Sequence, residues 1–267
     1  MCRMIALYAR GGGGSLASRL IEALPRVARS DPLRGNESHC DGVGYIALWR
    51  LTKGWEIDYH RYDAGSGACE ENLEHLETMA AIMAERLQAS EEALLILHAR
   101  KAPPGSPRGP HNTHPFNAKT IAGGKPLEIY LAHNGGLDIS LLARQASLTV
   151  NPEKWVDSNL YTLYLANRIS MGERLHDILD SSRGFVETAL DTALLLIHGD
   201  KASLYFYSYI NLSLEDKKKE YYSYYILKAP SLRAAIPSSM VKRALPFPAS
   251  LERLTDLQLL GNTLISS

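Results

Sequence analysis

The chain opens Met1-Cys2-Arg3-Met4-Ile5-Ala6-Leu7-Tyr8, and the rest of the sequence is read outward from these residues. Met4 to Tyr8 is an apolar run of strand length, suited to a buried first strand. Cys2 stands just before it. Removal of the initiator methionine would leave Cys2 carrying both a thiol and a free α-amine. An α-amine titrates near ~8 and a thiol near ~8.5, so each can trade a proton with the other around neutral pH. A residue so placed is a nucleophile with its own general base, as for N-terminal threonine. With Met1 retained, the nitrogen is an amide and accepts no proton. By position alone the favoured reading of Cys2 is a small buried hydrophobe that begins a strand.

At 267 residues the length suits one large domain or two small ones. Hydrophobic content of 45% and charged content of 22% are those of a soluble globular chain. Lys+Arg and Asp+Glu both number 29, which gives no electrostatic reason to expect a nucleic-acid partner. The basic run Lys217-Lys218-Lys219 lies between Glu215, Asp216 and Glu220 and reads as a solvated turn. The three cysteines, Cys2, Cys40 and Cys69, are odd in number and lack Cys-x-x-Cys spacing, so neither a disulfide framework nor a cysteine zinc site follows. Cys40 and Cys69 read as structural or incidental. No signal-peptide pattern is present, and no apolar run approaches the ~20 residues needed to span a bilayer. The expectation is a reducing cytoplasm, with no membrane association.

Along the chain, Arg10 to Ser15 is a glycine-rich connector, not a phosphate loop, because no Gly-Lys-Ser/Thr follows. Leu16 to Val27 has helical spacing and is expected to end around Pro25. Gly42 and Gly44 beside Asp41 suit a tight turn before a strand that reaches Trp49, with Trp55 to Tyr62 as hairpin partner. Asn72 to Leu87 is an amphipathic helix. Ala93 to Arg100 and Leu127 to Gly136 are strands that run into polar residues, separated by a proline- and glycine-rich loop from Pro103 to Pro110. Helices are expected from Leu137 to Leu142 and from Val156 to Ile169, the latter with Leu160, Leu163 and Tyr164 inward. Phe185 to Leu190 reads as a short helix. Leu194 to His198, Leu204 to Ile210 and Tyr222 to Leu227 read as a meander whose last two strands join at the charged turn. The tyrosines from 205 to 225 suit cross-strand packing better than base stacking. With no internal repeat or clear linker, one domain over 1–267 is the economical reading.

Several strands end in chemically useful side chains, as expected if they gather around one site. Cys2, His39-x-Asp41-Gly42-x-Gly44, His98-x-Arg100-x-Ala102, His114-Pro115-Phe116, His133-Asn134-Gly135 and Asp157-Ser158 closely resemble, in that order, the class II glutamine amidotransferase domains. Those are N-terminal-nucleophile (Ntn) hydrolases. The likeness spans Cys2 to Asn167 by motif. Pro103, Val43 and Asn159 depart from the family's usual residues, and none of them is among the positions to which it assigns roles.

The resemblance implies an α+β fold, a four-layer αββα sandwich of two antiparallel sheets between helix layers. It also implies cysteine-dependent hydrolysis of the side-chain amide of glutamine or a related γ-glutamyl compound, through a thioester on Cys2. By the same likeness Asn134 and Gly135 provide the oxyanion donors, Arg100 holds the substrate α-carboxylate and Asp157 the α-ammonium. No cofactor is implied. The bland readings are a strand-to-helix turn for Asn134-Gly135, a salt bridge for Arg100 and a helix N-cap for Asp157. A zinc site on His98, His111, His114 and His133 is disfavoured, because their spacings match no metal motif and the family uses none. These histidines are expected to order loops and support neighbouring side chains. The chain is expected to end once a single such domain is complete, leaving room for a partner subunit that takes ammonia, or for a homo-oligomer. Two rival readings are a non-catalytic binding protein that retains the fold and, more weakly, a histidine-based metal hydrolase.

Overall fold

The computed structural model describes residues 2–11, 13–151, 154–242 and 250–265. Strand β1 (Arg3–Arg10) is the middle of a seven-stranded sheet, hydrogen-bonded to β10 (Leu232–Pro237) on one side and β4 (Glu92–Ala99) on the other. Beyond β10 come β9 (Tyr224–Ala229) and β11 (Ser250–Arg253); beyond β4 come β2 (Val43–Leu51) and β3 (Gly54–Tyr62). The second sheet has five strands in the order β12 (Gln258–Leu264), β8 (Lys201–Tyr207), β7 (Val186–His198), β6 (Lys125–Leu137) and β5 (Phe116–Ala122). Every pairing in both sheets is antiparallel.

Side-chain alternation along the strands builds the layers. In β1, Ile5, Leu7 and Ala9 join a core with helices α1 (Gly14–Arg29) and α2 (Cys69–Gln88). Met4 and Ala6 point the other way, into the gap between the sheets. Both faces are covered, which explains why the run is continuously apolar rather than alternating. In β6, Leu127, Ile129 and Leu131 pack with α3 (Ile139–Gln145), α4 (Asp157–Ser170) and α5 (Leu175–Ser181), while Tyr130 and Ala132 enter the inter-sheet gap. The result is the expected four-layer αββα sandwich. No helix among the described residues is long and apolar enough to cross a membrane.

Several expectations are corrected. α1 runs through Pro25 to Arg29: the one backbone bond a proline removes is outweighed by the buried face on which Leu20, Ile21, Leu24 and Ala28 sit. Phe185 to Leu190 is not a helix. From Val186 it is the start of β7, because a short apolar run has no period long enough to separate the two. The charged turn is a short helix, α6 (Asp216–Tyr222). Leu163 is exposed rather than inward. Strands β5 and β10 were not anticipated. Cys40 and Cys69 form a disulfide with 29 residues of separation, joining the segment that enters β2 to the first turn of α2.

Candidate active site

The alternation that builds the layers also aims the functional side chains. Cys2 shares the parity of Met4, so it belongs to the inter-sheet face just ahead of β1. His98, the cross-strand neighbour of Met4 and Gly44, shares the parity of Leu94 and Ile96 and faces the same gap. Asn134 continues the Tyr130–Ala132 face of β6 and approaches from the opposite sheet. Its Oδ1 accepts a hydrogen bond from the Cys2 backbone nitrogen at 2.8 Å. Two residues 132 apart in sequence are thereby fixed across the sandwich.

Cys2, Arg100, Gly135 and Asp157 line one cleft of about 210 Å³, together with Lys101, Ser106, His114, Trp155 and Glu187 among others. Asn134 is fully buried beneath that cleft rather than lining it, and its side chain interacts with the Asp191 carboxyl. Beside it across the β6–β7 pairing stands Asp191. Burial raises the Asp191 pKa well above its ordinary value, and its carboxyl accepts from Ser208 Oγ at 2.7 Å. Gly135 has φ +153, and a Cβ there would collide with the Ala189 carbonyl oxygen. A side chain at this position is excluded by backbone on the neighbouring strand.

Arg100 is buried and donates from Nη1 to the Pro107 carbonyl at 2.8 Å. Burial lowers its pKa, and the nearby Cys2 works in the opposite direction. Its loop is braced by Asp41, which accepts from the Ala102 N–H at 2.8 Å and pairs with Arg108 at 2.6 Å. Asp41 thus braces the neighbouring loop, where its own turn was expected to be its target. The glycine at 44 has its own reason: a Cβ there would strike the His114 carbonyl oxygen.

Asp157 begins α4 inside its first turn, with Val156 as the N-cap. It accepts from the Leu137 N–H at 3.0 Å and from the Ser158 N–H at 2.7 Å. The helix-start and cleft-lining readings of Asp157 therefore hold together. His133 faces outward to the helix layer. Its Nε2 lies 3.2 Å from the Ala189 carbonyl, which can only accept, and its Nδ1 lies 2.9 Å from Ser158 Oγ, which also reaches Asp157 Oδ1 at 3.0 Å. Burial lowers the His133 pKa and the Asp157 charge raises it. His133 thus supports its neighbours as expected. His98 meets the His133 backbone, the His114 ring makes no hydrogen bond, and His111 is exposed. Burial holds both the His98 and His114 imidazoles neutral, their pKa values well below the usual range.

Among the described residues two clusters have metal-ligand chemistry: Cys2, His98 and His114, all buried, and the more exposed His176, Asp180 and Asp256. Glu187 and Trp155 were missed as cleft residues. Glu187 lies in the segment read as a helix, and nothing about Trp155 in the sequence marks it.

No protein-family model matches this sequence, and no curated protein matches it. Among solved structures the chain is similar to the allosteric regulatory enzyme of purine biosynthesis, at 13% identity and a TM-score of 0.51. The match covers 98% of this chain and 49% of that one, so the chain spans about half the length of its structural neighbour. The likeness is one of fold, a four-layer αββα sandwich.

Proposed function

We propose that the chain is a thiol-dependent amidohydrolase acting on the side-chain amide of glutamine or a related γ-glutamyl compound. The observation that carries this reading is the convergence of Cys2, Arg100, Gly135 and Asp157 on one cleft, with Asn134 hydrogen-bonded to Cys2 beneath it. The likeness in fold to a glutamine amidotransferase supports amide hydrolysis at the coarse level.

In this reading Met1, which lies outside the described residues, is removed, and the freed amine takes the thiol proton. The Cys2 sulfur attacks the amide carbon, and the carbonyl oxygen becomes an oxyanion. Asn134 Nδ2 suits it as a donor because the amide is fixed beside Cys2 through its own Oδ1. The Gly135 N–H is the second donor. The C–N bond then breaks, the leaving nitrogen takes the proton and departs as ammonia or an amine, and a γ-glutamyl thioester remains. Water hydrolyses it to the carboxylic acid and regenerates the thiol. Arg100 is suited to the α-carboxylate as a guanidinium of fixed orientation. Asp157 takes the α-ammonium, with Glu187 on the same cleft as a second acid.

The test uses 6-diazo-5-oxo-norleucine, a glutamine-shaped electrophile. One label is expected on Cys2, absent in Cys2→Ala, together with ammonia release from glutamine that chelators do not diminish. Labelling unchanged by Cys2→Ala would overturn the assignment. A screen of γ-glutamyl amides and peptides then identifies the preferred substrate.

A further inference from the structure

We propose that Cys2, His98 and His114 form a site for a thiophilic divalent cation, zinc above all, and that its occupancy reversibly blocks the Cys2 sulfur. Binding stands on the geometry alone; the effect on turnover rests on Cys2 being the nucleophile.

The three residues come from separate places: the lead-in to β1, the end of β4, and the segment before β5. One ligand atom from each lies within 4.8 Å of the others. Their exposures are 7%, 0% and 2%, so the cluster is shielded from bulk water. Neither His114 nitrogen makes a hydrogen bond, and His98 has only the His133 backbone, while the two rings lie with centroids 4.1 Å apart. Buried polar groups are normally partnered, and each one left unmade costs about 1–3 kcal/mol. A cation satisfies one nitrogen on each ring at once and takes the sulfur as its third ligand.

The donor set also selects the ion. One thiolate and two neutral imidazoles suit zinc and its softer relatives, while magnesium and calcium prefer oxygen. Tetrahedral zinc holds sulfur at ~2.3 Å and nitrogen at ~2.0–2.1 Å, which places neighbouring ligand atoms ~3.3–3.6 Å apart. From that upper bound of 4.8 Å the cluster needs to close by at most about 1.2–1.5 Å, within reach of side-chain rotation at Cys2 and the two histidines. Cys2 and His114 both line the cleft, so the fourth coordination position opens on the route by which an ion enters. On binding, the thiol releases its proton to solvent. Arg100, on the same cleft, opposes a dication and favours exchange over permanent retention. With the sulfur pair committed to the metal, no nucleophile remains. The cation in this site therefore inhibits, unlike the hydrolytic zinc of a metallohydrolase.

The experiment uses the full chain, stripped with EDTA, reduced and titrated with zinc at neutral pH. One zinc ion per chain is expected. Cys2→Ala, His98→Ala and His114→Ala are each expected to weaken binding by about tenfold or more. Cobalt(II) is expected to give a thiolate-to-metal charge-transfer band in the native protein that Cys2→Ala abolishes. Zinc is also expected to slow iodoacetamide alkylation of Cys2, and EDTA to restore it. Zinc affinity unchanged in the histidine variants overturns the site. Should those variants misfold, a native cobalt complex without the charge-transfer band overturns it equally. Electrophile labelling with EDTA present separates the two readings. Labelling without zinc binding removes this inference alone, and zinc binding without labelling removes the nucleophile reading alone.

Discussion

Asn134 shows how one side chain can serve two purposes without conflict. Its carbonyl oxygen holds the Cys2 backbone nitrogen, and the Asp191 carboxyl interacts with the same amide. An amide held on both sides is oriented before substrate arrives. Its N–H gains most when a negative charge develops beside it, as it does when a tetrahedral oxyanion forms. Donors preorganised in this way act in the transition state more than in the ground state. Asn134→Ala is therefore expected to lower kcat for glutamine hydrolysis about 10²–10³-fold, some 2.7–4 kcal/mol, with KM little changed. Steady-state kinetics on a variant with the native circular-dichroism spectrum checks this. A rise in KM at constant kcat would mean that Asn134 binds the ground state and is no oxyanion donor.

Strand β1 presents Cys2 only if its own end is held, and Arg3 holds it. Parity turns Arg3 away from the inter-sheet gap, where its buried guanidinium meets Asp31 at 2.5 Å, donates to the Tyr221 carbonyl at 3.1 Å and lies 3.7 Å from the Tyr221 ring centroid. His39 reaches the same Asp31 oxygen at 2.9 Å, and the Tyr221 hydroxyl donates to the Cys2 carbonyl at 3.3 Å. Burial pushes the Asp31 carboxyl upward, but the His39 bond and the Arg3 charge outweigh it and bring the pKa to about 2 from an ordinary 3.8. The folded value is the lower one, so the stabilisation is complete above the unfolded pKa and disappears as pH falls from about 3.8 to about 2. At 1.36 kcal/mol per unit it amounts to about 2 kcal/mol. Asp31→Asn leaves Arg3 buried without its counter-charge and is expected to cost about 3–5 kcal/mol at neutral pH. Urea unfolding of both proteins between pH 5 and 2 should show the native chain losing stability more steeply. Parallel curves would show that Asp31 does not carry this acid sensitivity.

At the scale of the molecule, what was legible in the sequence followed from local pattern. Continuous apolar runs marked β1, β4 and β6, and polar residues where β4 and β6 run out located the cleft before any coordinates. The pieces that escaped depend on distant neighbours. β10 pairs β1 across more than two hundred residues, and the Cys2–His98–His114 cluster has no local spacing to betray it. Arithmetic on three cysteines likewise pointed away from a disulfide, because one of them is reserved at position 2 and only the remaining two pair. The Cys40–Cys69 bond closes a 29-residue separation between the lead-in to β2 and the start of α2. Asn72 reinforces the joint, donating from Nδ2 to the Cys40 carbonyl at 2.9 Å. Cross-linking a loop of that length restricts the unfolded chain by about 3–4 kcal/mol on the loop-entropy scale. A Cys40→Ser, Cys69→Ser double variant is therefore expected to unfold at lower guanidinium concentration, by about that free energy, with a steeper denaturant slope because its unfolded chain is less compact. Native protein unfolded without reductant should alkylate at Cys2 alone, since Cys2 is the free cysteine. Alkylation at all three positions before reduction, or an unfolding midpoint indifferent to the double substitution, would remove the cross-link from the account of stability.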